Sequence, residues 1–509
     1  MPTVSSTVAS ALRRACLLAL LAGVCGAAAQ DVHDHPVPEQ LGTVSFPISC
    51  NPAVQKEFER GVALLHSFAY SAAAKTFRQV ADEDPQCAIA HWGAAMTYFH
   101  QLWDPPIRPD AFTLGHQEID LAKRIGAGSE RERGFINALA LLYPVDPGNV
   151  PYPAPVESYA DAMGKLATEH KSDTESQVFY ALALLATASP SDKTHAKQKR
   201  AAEVLEPLHR QYPQHPGIAH YLIHAYDNQE LAPRGVEVAE AYAKIAPSTP
   251  HALHMPSHIF TRLGMWQDSV SSNLAARDVA RAQGDTGEEL HAMDYLVYAY
   301  LQLGRDDKAD EVVQQLKTMP DLNQGDFKIG YAYTAMPVRC MVERQQWAEA
   351  ARIQPPAAAP QVVATAVWAR ALGLARSGHP VEARAEVAKL QQIVQQLRTS
   401  GKQYWAGQVE VQVLEATAWS AQAEGKAAEA LTLLRRAADE EDSVEKLPVT
   451  PGPIVPAREQ LGDLLLEQSQ PHLALQEFRT ALSNAPQRRG ALMGVSRATE
   501  QLASTASRN

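Results

Sequence analysis

The sequence lacks an excess of basic residues. Its 46 Lys and Arg residues are outnumbered by 57 Asp and Glu residues, and the formal net charge is −11. Binding to nucleic acid depends on basic side chains that neutralise phosphates, so this balance argues against a nucleic-acid-binding protein. Aromatic residues make up only 7% of the chain, whereas Ala, Leu, Glu and Gln are abundant, which favours helix.

Long apolar runs are missing after the first 30 residues, so we expect no stable membrane insertion. At the N-terminus, Arg13 and Arg14 precede the apolar stretch ACLLALLAGVCGAAA, which ends in small residues. This pattern predicts a signal peptide over residues 1–29 that is cleaved near Ala29. The protein is therefore expected to be exported, to the periplasm or as a secreted protein.

Several enzyme signatures are also missing. The sequence contains no phosphate-binding loop, no dinucleotide fingerprint and no nucleophile elbow. Tyr221 and Met255 stand where the HExxH motif of a zinc protease carries its glutamate. Whether the protein is an enzyme stays open, and any activity would be metal-dependent.

A repeat with a period near 34 residues is present. In LGDLLLEQSQPHLALQEFRTALSNAP, the pattern falls on Leu461, Gly462, Ala474, Phe478, Ala481 and Pro486. The same spacing recurs at Ala73, Phe77, Val80 and Pro85, and at Gly235, Ala239, Tyr242 and Pro247. Small residues at these positions let two helices approach, an aromatic ring fills the gap and proline ends the second helix. Weaker copies centre on Ala201, Ser269, Ala309, Ala350, Ala383 and Ala430.

This pattern resembles the tetratricopeptide repeat (TPR) family over residues 54–486. The resemblance implies an all-α, TPR-like α-solenoid, a right-handed superhelix of helical hairpins with a C-terminal capping helix. Proline-rich connections interrupt the pattern and leave the register uncertain over 101–190. The expected divisions are a signal peptide (1–29), an irregular segment (30–53), an N-terminal helical region with insertions (54–190), a central His-rich region (191–325), a C-terminal repeat region (326–486) and a capping helix with a tail (487–509).

Histidines are concentrated in the central region. Of 18 histidines, six lie within 44 residues, at positions 215, 220, 224, 251, 254 and 258. His220 and His224 are four residues apart and share one helical face, on which we also expect Asp227. A shift of 34 residues places them on His254 and His258, so two successive repeats carry the same pair.

The next repeat begins HAMDYLVY and continues the pattern. A shift of 40 residues places His291 on His251 and Asp294 on His254. The TPR resemblance implies that these leading helices line a concave groove. We therefore expect the side chains to converge on one wall of that groove.

A divalent transition metal suits such a set of imidazoles and carboxylates, zinc first, with copper or iron as alternatives. His220, His224, His254 and His258 are the main ligand candidates. Additional ligands, or groups that orient a ligand, are Asp227, His251, His291 and Asp294. The alternative is a plain scaffold in the cell envelope, whose groove holds a small ligand, a peptide or a protein without metal. Tyr298 and Arg339 are the groove residues to which such a partner would bind.

Pro256 lies between His254 and His258, and two interpretations remain open. A helix that begins near Pro250 would place Pro256 in its middle and kink it. Alternatively, the helix begins at Pro256 and the preceding residues are extended.

Three cysteines follow the predicted signal peptide. Cys50 and Cys87 precede the leading helices of the first two repeats, which are neighbours in a TPR stack, so an oxidising compartment would allow them to pair. Cys340 would then be a buried thiol. The alternative is three unpaired thiols.

Overall fold

The computed structural model describes most of the chain after the predicted signal peptide. The described residues are 39–100, 102, 107–144 and 153–506. The predicted signal peptide and the first part of the predicted irregular segment lie outside this range. All regular secondary structure in the described part is helical, and the helices pair into successive hairpins. The predicted all-α, TPR-like α-solenoid is confirmed.

Each hairpin has a leading and a trailing helix. The leading helices are α1 (Gln55–His66), α3 (Ala88–Met96), α5 (Glu130–Ala140), α7 (Thr174–Ala186), α9 (Pro216–Tyr226), α11 (Pro250–His254) followed by α12 (Pro256–Leu263), α14 (Thr286–Gln302), α16 (Phe327–Glu343), α18 (Pro360–Arg376), α20 (Gln403–Ala423) and α22 (Ala457–Glu467). The trailing helices are α2 (Tyr70–Glu83), α4 (Pro109–Ile125), α6 (Ala154–Glu169), α8 (Ala196–Gln211), α10 (Val236–Ile245), α13 (Trp266–Gln283), α15 (Asp306–Thr318), α17 (Trp347–Ala350), α19 (Pro380–Thr399), α21 (Ala427–Asp442) and α23 (Pro471–Asn484). The last helix, α24 (Arg489–Ala506), packs on α23 as the predicted cap.

The repeat motif works as the sequence predicts. A Cβ atom on Gly93 would lie 2.5 Å from the ring of Phe77, and one on Gly462 would lie 2.6 Å from the ring of Phe478. Glycine therefore lets each leading helix approach the aromatic ring of a trailing helix. The trailing helices α2, α10 and α23 each end two residues before the motif proline.

The region in which the sequence left the register uncertain continues the array. Helices α3 to α8 pair there in order. Every weaker copy of the repeat also falls on a trailing helix, from Ala201 on α8 to Ala430 on α21. The period therefore predicts which helix of each hairpin leads.

The first two hairpins are joined covalently. Cys50 precedes α1, Cys87 precedes α3, and the two form a disulfide with Cα atoms 5.0 Å apart. Cys340 on α16 is a buried free thiol. Of the two alternatives that the sequence left open, the structure has the disulfide and the single buried thiol.

The solenoid turns back on itself. Helix α1 packs directly against α9, four hairpins further along the chain. The Thr43 amide donates to the Gln214 carbonyl over 2.8 Å, which ties the N-terminal segment to the start of α9. Near the other end, α24 packs against α14, and the Trp266 indole donates to the Gln487 carbonyl. Leading helices from distant hairpins therefore meet in the interior.

A segment between α21 and α22 fills much of this interior. We call residues 443–456 the crossing segment. Its main chain contacts three leading helices: Tyr295 on α14 donates to the Thr450 carbonyl, Tyr404 on α20 accepts from the Leu447 amide, and Arg339 on α16 donates to the Gly452 carbonyl. The leading helices thus face an occupied interior.

The chain from Gln40 onward forms one compact unit. None of the helices in the described part is both long enough and apolar enough to cross a bilayer.

Candidate metal centre

Six histidines from three consecutive leading hairpin positions meet in the interior. We call them the histidine centre: His220 and His224 from α9, His251 and His254 from α11, His258 from α12 and His291 from α14. The structure therefore brings together all the histidines that the repeat phase selects. Five of these histidines are buried and His224 is half-buried, whereas the sequence places them on the wall of a groove. His220 is 0% exposed and His258 is 1% exposed.

The first triad comprises His220, His224 and His251. One ring nitrogen of each lies within 4.8 Å of the others. The Nε2 atom of His220 is 3.0 Å from Nε2 of His224 and 3.1 Å from Nε2 of His251. These short distances mean that three potential metal ligands point at one another.

Two groups outside the first triad orient its rings. The Nδ1–H of His220 donates to the His66 carbonyl over 2.6 Å, and Nδ1 of His251 faces a Glu288 carboxylate oxygen at 3.4 Å. His66 is the last residue of α1, where a helix leaves its carbonyls without amide partners. A neutral imidazole carries one proton, so the hydrogen bond from Nδ1 of His220 makes its Nε2 atom the unprotonated nitrogen, the form that binds a metal.

The second triad comprises His254, His258 and His291, whose nitrogens also lie within 4.8 Å of one another. The Nε2 atoms of His254 and His258 are 3.0 Å apart. His254 donates its Nδ1–H to Asn273 over 2.6 Å, and His258 donates its Nδ1–H to Asp227 over 2.9 Å. The second triad thus has the same design as the first.

The orientation of the Asn273 amide is itself fixed. Its Nδ2 atom donates to the Ser269 carbonyl over 2.7 Å, which turns Oδ1 toward His254. His254 must therefore be the donor in that contact, and its proton is on Nδ1.

Pro256 divides the leading helix of this hairpin without unwinding it. Residues 250–254 are helical, Met255 retains helical dihedral angles, and α12 begins at Pro256. Proline has no N–H, so the Ala252 carbonyl loses its usual helical partner. The structure supports the first of the two interpretations, a helix with Pro256 inside it. His254 and His258 remain in contact across this break, with ring centroids 5.0 Å apart and the rings nearly perpendicular.

Asp227 does not lie on the helical face that the sequence predicts, because α9 ends at Tyr226. It binds His258 from the residue after the helix. Arg262 donates to Asp227 over 2.8 Å, and Lys446 of the crossing segment donates to it over 3.1 Å. Burial alone would raise the pKa of Asp227, but the two cations lower it well below its usual value. Asp227 is thus a charged group that orients a ligand.

Burial favours neutral imidazole rings at His220, His254 and His258 of the histidine centre. Burial lowers the pKa of His220 and His254 well below the usual value of imidazole, and the neighbouring histidines lower it further. Burial also lowers the pKa of His258 to about 4, although Asp227 opposes this effect. Neutral imidazole is the form that ligates metal.

Asp294, which the sequence places with the histidines, is paired elsewhere. Both of its carboxylate oxygens accept from Arg339, at 2.9 Å and 3.4 Å. Buried carboxylates require a charged partner, and α16 supplies one at this position. Arg339 is 0% exposed and therefore does not line an open groove. Tyr298 is also buried, and its hydroxyl accepts from Arg488 over 3.0 Å.

A hydrogen-bonded network that no sequence motif predicts lies behind the first triad. Glu175 on α7 accepts from His66 and from His215, each over 2.9 Å. Nδ1 of His66 accepts from the Tyr221 hydroxyl, and Nδ1 of His215 accepts from the Ile218 amide. Although His66, Glu175 and His215 are close enough to hold an ion, every nitrogen is already hydrogen-bonded. Their role is to fix the end of α1, and thereby the carbonyl that orients His220.

Phe68 packs on the first triad in a strained conformation. Its φ angle is 53°, in the left-handed region. The Phe68 amide donates to the Leu65 carbonyl and the Ala69 amide to the Leu64 carbonyl, the hydrogen bonds of a Schellman motif, whose left-handed residue is usually glycine. The ring lies 4.4 Å from the ring of His220 and 5.3 Å from that of His251.

A cavity of about 760 Å³ leads to the first triad. His251 and Glu288 line it, together with Tyr70 and Lys328. A small molecule in this cavity would contact His251. A second cavity, of about 360 Å³, lies against the crossing segment.

Comparisons with known proteins find distant similarity to solved helical-repeat structures. No family model and no curated protein matches the chain. Among solved structures, the P58(IPK) TPR domain is 13% identical over 89% of this chain and 99% of that chain, with a TM-score of 0.22. The APC/C hetero-tetramer Cut9–Hcn1 is 11% identical over 90% of this chain and 78% of that chain, with a TM-score of 0.37. A human IFIT1 dimer with m7Gppp-AAAA is 10% identical over 82% of this chain and 90% of that chain, also with a TM-score of 0.37. At these scores, the solenoid assignment rests on the helical hairpins themselves.

Proposed function

We propose that this protein binds a divalent transition metal in the histidine centre, with zinc as the first candidate and copper or iron as alternatives. The observation that carries the proposal is the pair formed by His254 and His258. Each ring donates its Nδ1–H to a fixed acceptor, and the two Nε2 atoms are 3.0 Å apart.

Two nitrogen lone pairs that face each other at this distance in a buried site repel. A proton between them would relieve the repulsion, but burial lowers the pKa of both imidazoles. A metal ion relieves it without protonation, because each Nε2 is already a free ligand atom. His220 and His251 face each other in the same way at 3.1 Å.

The surrounding groups match those of known metal sites. Ligating histidines usually donate their other ring N–H to a carboxylate or a carbonyl, which fixes the ring and increases its basicity. Here Asp227 serves His258, and the His66 carbonyl serves His220. A small ligand would approach the ion through the cavity beside His251.

We also propose that the protein is exported. The pattern of residues 1–29 supports this proposal, and so does the disulfide between Cys50 and Cys87, a bond that is rare in reducing compartments.

The plain scaffold has less support. A peptide bound along the leading helices would need the space that the crossing segment occupies. Arg339, one of the predicted partner contacts, is buried against Asp294 and Gly452.

The test is elemental analysis of the purified protein, followed by melting of the metal-free protein with and without Zn²⁺ or Cu²⁺. We expect retained metal and a higher melting temperature when metal is added. The double variant His224→Ala/His258→Ala should lose both effects and keep its helical circular dichroism. His379→Ala is the matched control, because His379 is exposed at the start of the trailing helix α19 and is not part of the histidine centre. Protein that is isolated without metal and melts at the same temperature after metal is added would overturn the proposal.

A further inference from the structure

The six histidines form two sets of the same design. Each triad has one ring oriented by a carboxylate, His251 by Glu288 in the first and His258 by Asp227 in the second. Each triad also has one ring oriented by a neutral oxygen: the His66 carbonyl for His220 and the Asn273 amide for His254. The histidines and the orienting groups of one set are different residues from those of the other.

Distances separate the two sets. Within the triads, ring centroids that belong to neighbouring ligands are 4.3 to 5.0 Å apart. Between the triads, the centroids of His224 and His258 are 6.1 Å apart, and those of His251 and His254 are 6.2 Å apart. Zinc–nitrogen bonds are only about 2.0–2.1 Å long. Two such bonds hold ligand nitrogens at most about 4.2 Å apart, and the ring nitrogens gather into two separate groups, one in each triad. A single ion therefore binds the nitrogens of one triad and leaves the other triad without a metal.

We propose that the histidine centre holds two divalent ions, one in each triad. This inference rests on the proposed function and adds the number and positions of the ions. Three imidazoles leave one position of a tetrahedral ion open, and water or hydroxide would fill it.

The charge around the centre agrees with two separate sites. Glu288 beside the first triad pairs with Lys328 at 2.5 Å, and Asp227 beside the second pairs with Lys446 and Arg262. Each triad thus has its own carboxylate, and each carboxylate is held by cations from a different part of the chain.

The experiment is a titration of the metal-free full-length protein with Zn²⁺ by isothermal calorimetry, with the bound metal counted by elemental analysis. We expect two equivalents in the parent protein. His251→Ala should bind one equivalent, because it removes a ligand of the first triad only. His254→Ala should also bind one, because it breaks only the second triad. His379→Ala should bind two.

A second readout uses Cu²⁺ and electron paramagnetic resonance. Two copper ions in adjacent triads should broaden each other's signals, and either single variant should give the sharp spectrum of one isolated ion. His251→Gln and His254→Gln replace the alanine variants if those lose helical circular dichroism.

The outcomes separate the two proposals. One equivalent in the parent protein overturns the two-ion arrangement and leaves the metal-binding function standing, whereas no bound metal overturns both. A folded single variant that still binds two ions, or one that binds none, also contradicts one ion per triad.

Discussion

At the scale of single residues, Asp227 connects the second triad to two buried cations. It accepts hydrogen bonds from His258, Arg262 and Lys446. Replacing it with Asn removes the charge that holds the proton of His258 on Nδ1. We expect Asp227→Asn to weaken metal binding by roughly 10- to 100-fold, the usual effect of losing such a group. Competition with a chromogenic chelator measures this change.

The matched control is Asp268→Asn, which changes an exposed carboxylate on α13. Equal metal affinity in the two variants would show that Asp227 does not orient a ligand.

Substitutions of Phe68 separate the contribution of its ring, which packs on the first triad, from the cost of its left-handed backbone conformation. Phe68→Ala removes the ring and keeps a side chain in the left-handed conformation, whereas Phe68→Gly removes both the ring and the strain. We expect each variant to lose about 3–5 kcal/mol of unfolding free energy, the usual cost of deleting a buried phenyl ring. The alanine variant should be the less stable by about 1 kcal/mol, since glycine tolerates positive φ.

Urea denaturation of both Phe68 variants measures the difference. Alanine at least as stable as glycine would mean that the strain has no energetic cost.

At the scale of elements, the break between α11 and α12 shapes the centre. Pro256→Ala restores an amide donor for the Ala252 carbonyl and allows a continuous helix. We expect metal-free protein that is at least as stable as the parent, with metal affinity reduced by about tenfold or more as the spacing of His254 and His258 changes.

Pro207→Ala on α8 is the control, because it also removes a proline from inside a helix but lies outside the histidine centre. Unchanged metal affinity in Pro256→Ala would show that the break between α11 and α12 does not contribute to metal binding.

The crossing segment contributes a buried cation. Burial lowers the pKa of Lys446 to about 8, against the attraction of Asp227. An unfolded lysine titrates near 10.4. Between these two values the unfolded chain binds the proton and the folded chain does not, so stability rises with pH.

We therefore expect the metal-free parent to gain up to about 3 kcal/mol over Lys446→Met between pH 8 and 10.5. Denaturation at several pH values measures the gain. A constant difference between the two proteins would show that Lys446 keeps its proton throughout.

At the scale of the whole molecule, the N-terminal hairpins are held by one covalent link. Cys50 and Cys87 are 37 positions apart. The loop-entropy model gives roughly 3–4 kcal/mol for a loop of this size. We expect Cys50→Ser/Cys87→Ser to lose about that much stability in chemical denaturation. Reducing agent should have the same effect on the parent and no further effect on the variant.

Cys340→Ala, which leaves the bridge in place, is the control. A double variant as stable as the parent would show that the bridge adds nothing to stability.

The repeat period made the fold and most of the centre predictable. It identified the trailing helices, and the shifts of 34 and 40 residues placed His254, His258 and His291 correctly. Those inferences need only local geometry and the order of neighbouring hairpins.

The parts of the centre that could not be predicted from the sequence depend on contacts between helices whose order and packing the repeat does not encode. His66 reaches the centre because α1 packs against α9, and no periodic pattern encodes that closure. Asp294 was assigned to the histidines because the same 40-residue shift relates it to His254. In the structure its carboxylate instead pairs with Arg339 from the next leading helix. The predicted groove is occupied because the crossing segment lies against the leading helices α14, α16 and α20.

The hydrogen bond from His220 to the carbonyl of His66 spans 154 positions of the chain. Contacts with such large separation are slow to form, because the intervening loop must close before they contribute. The first triad is therefore complete only after the earliest and the central hairpins have met. Metal uptake would report this late step of folding, and an ion bound there would slow its reversal.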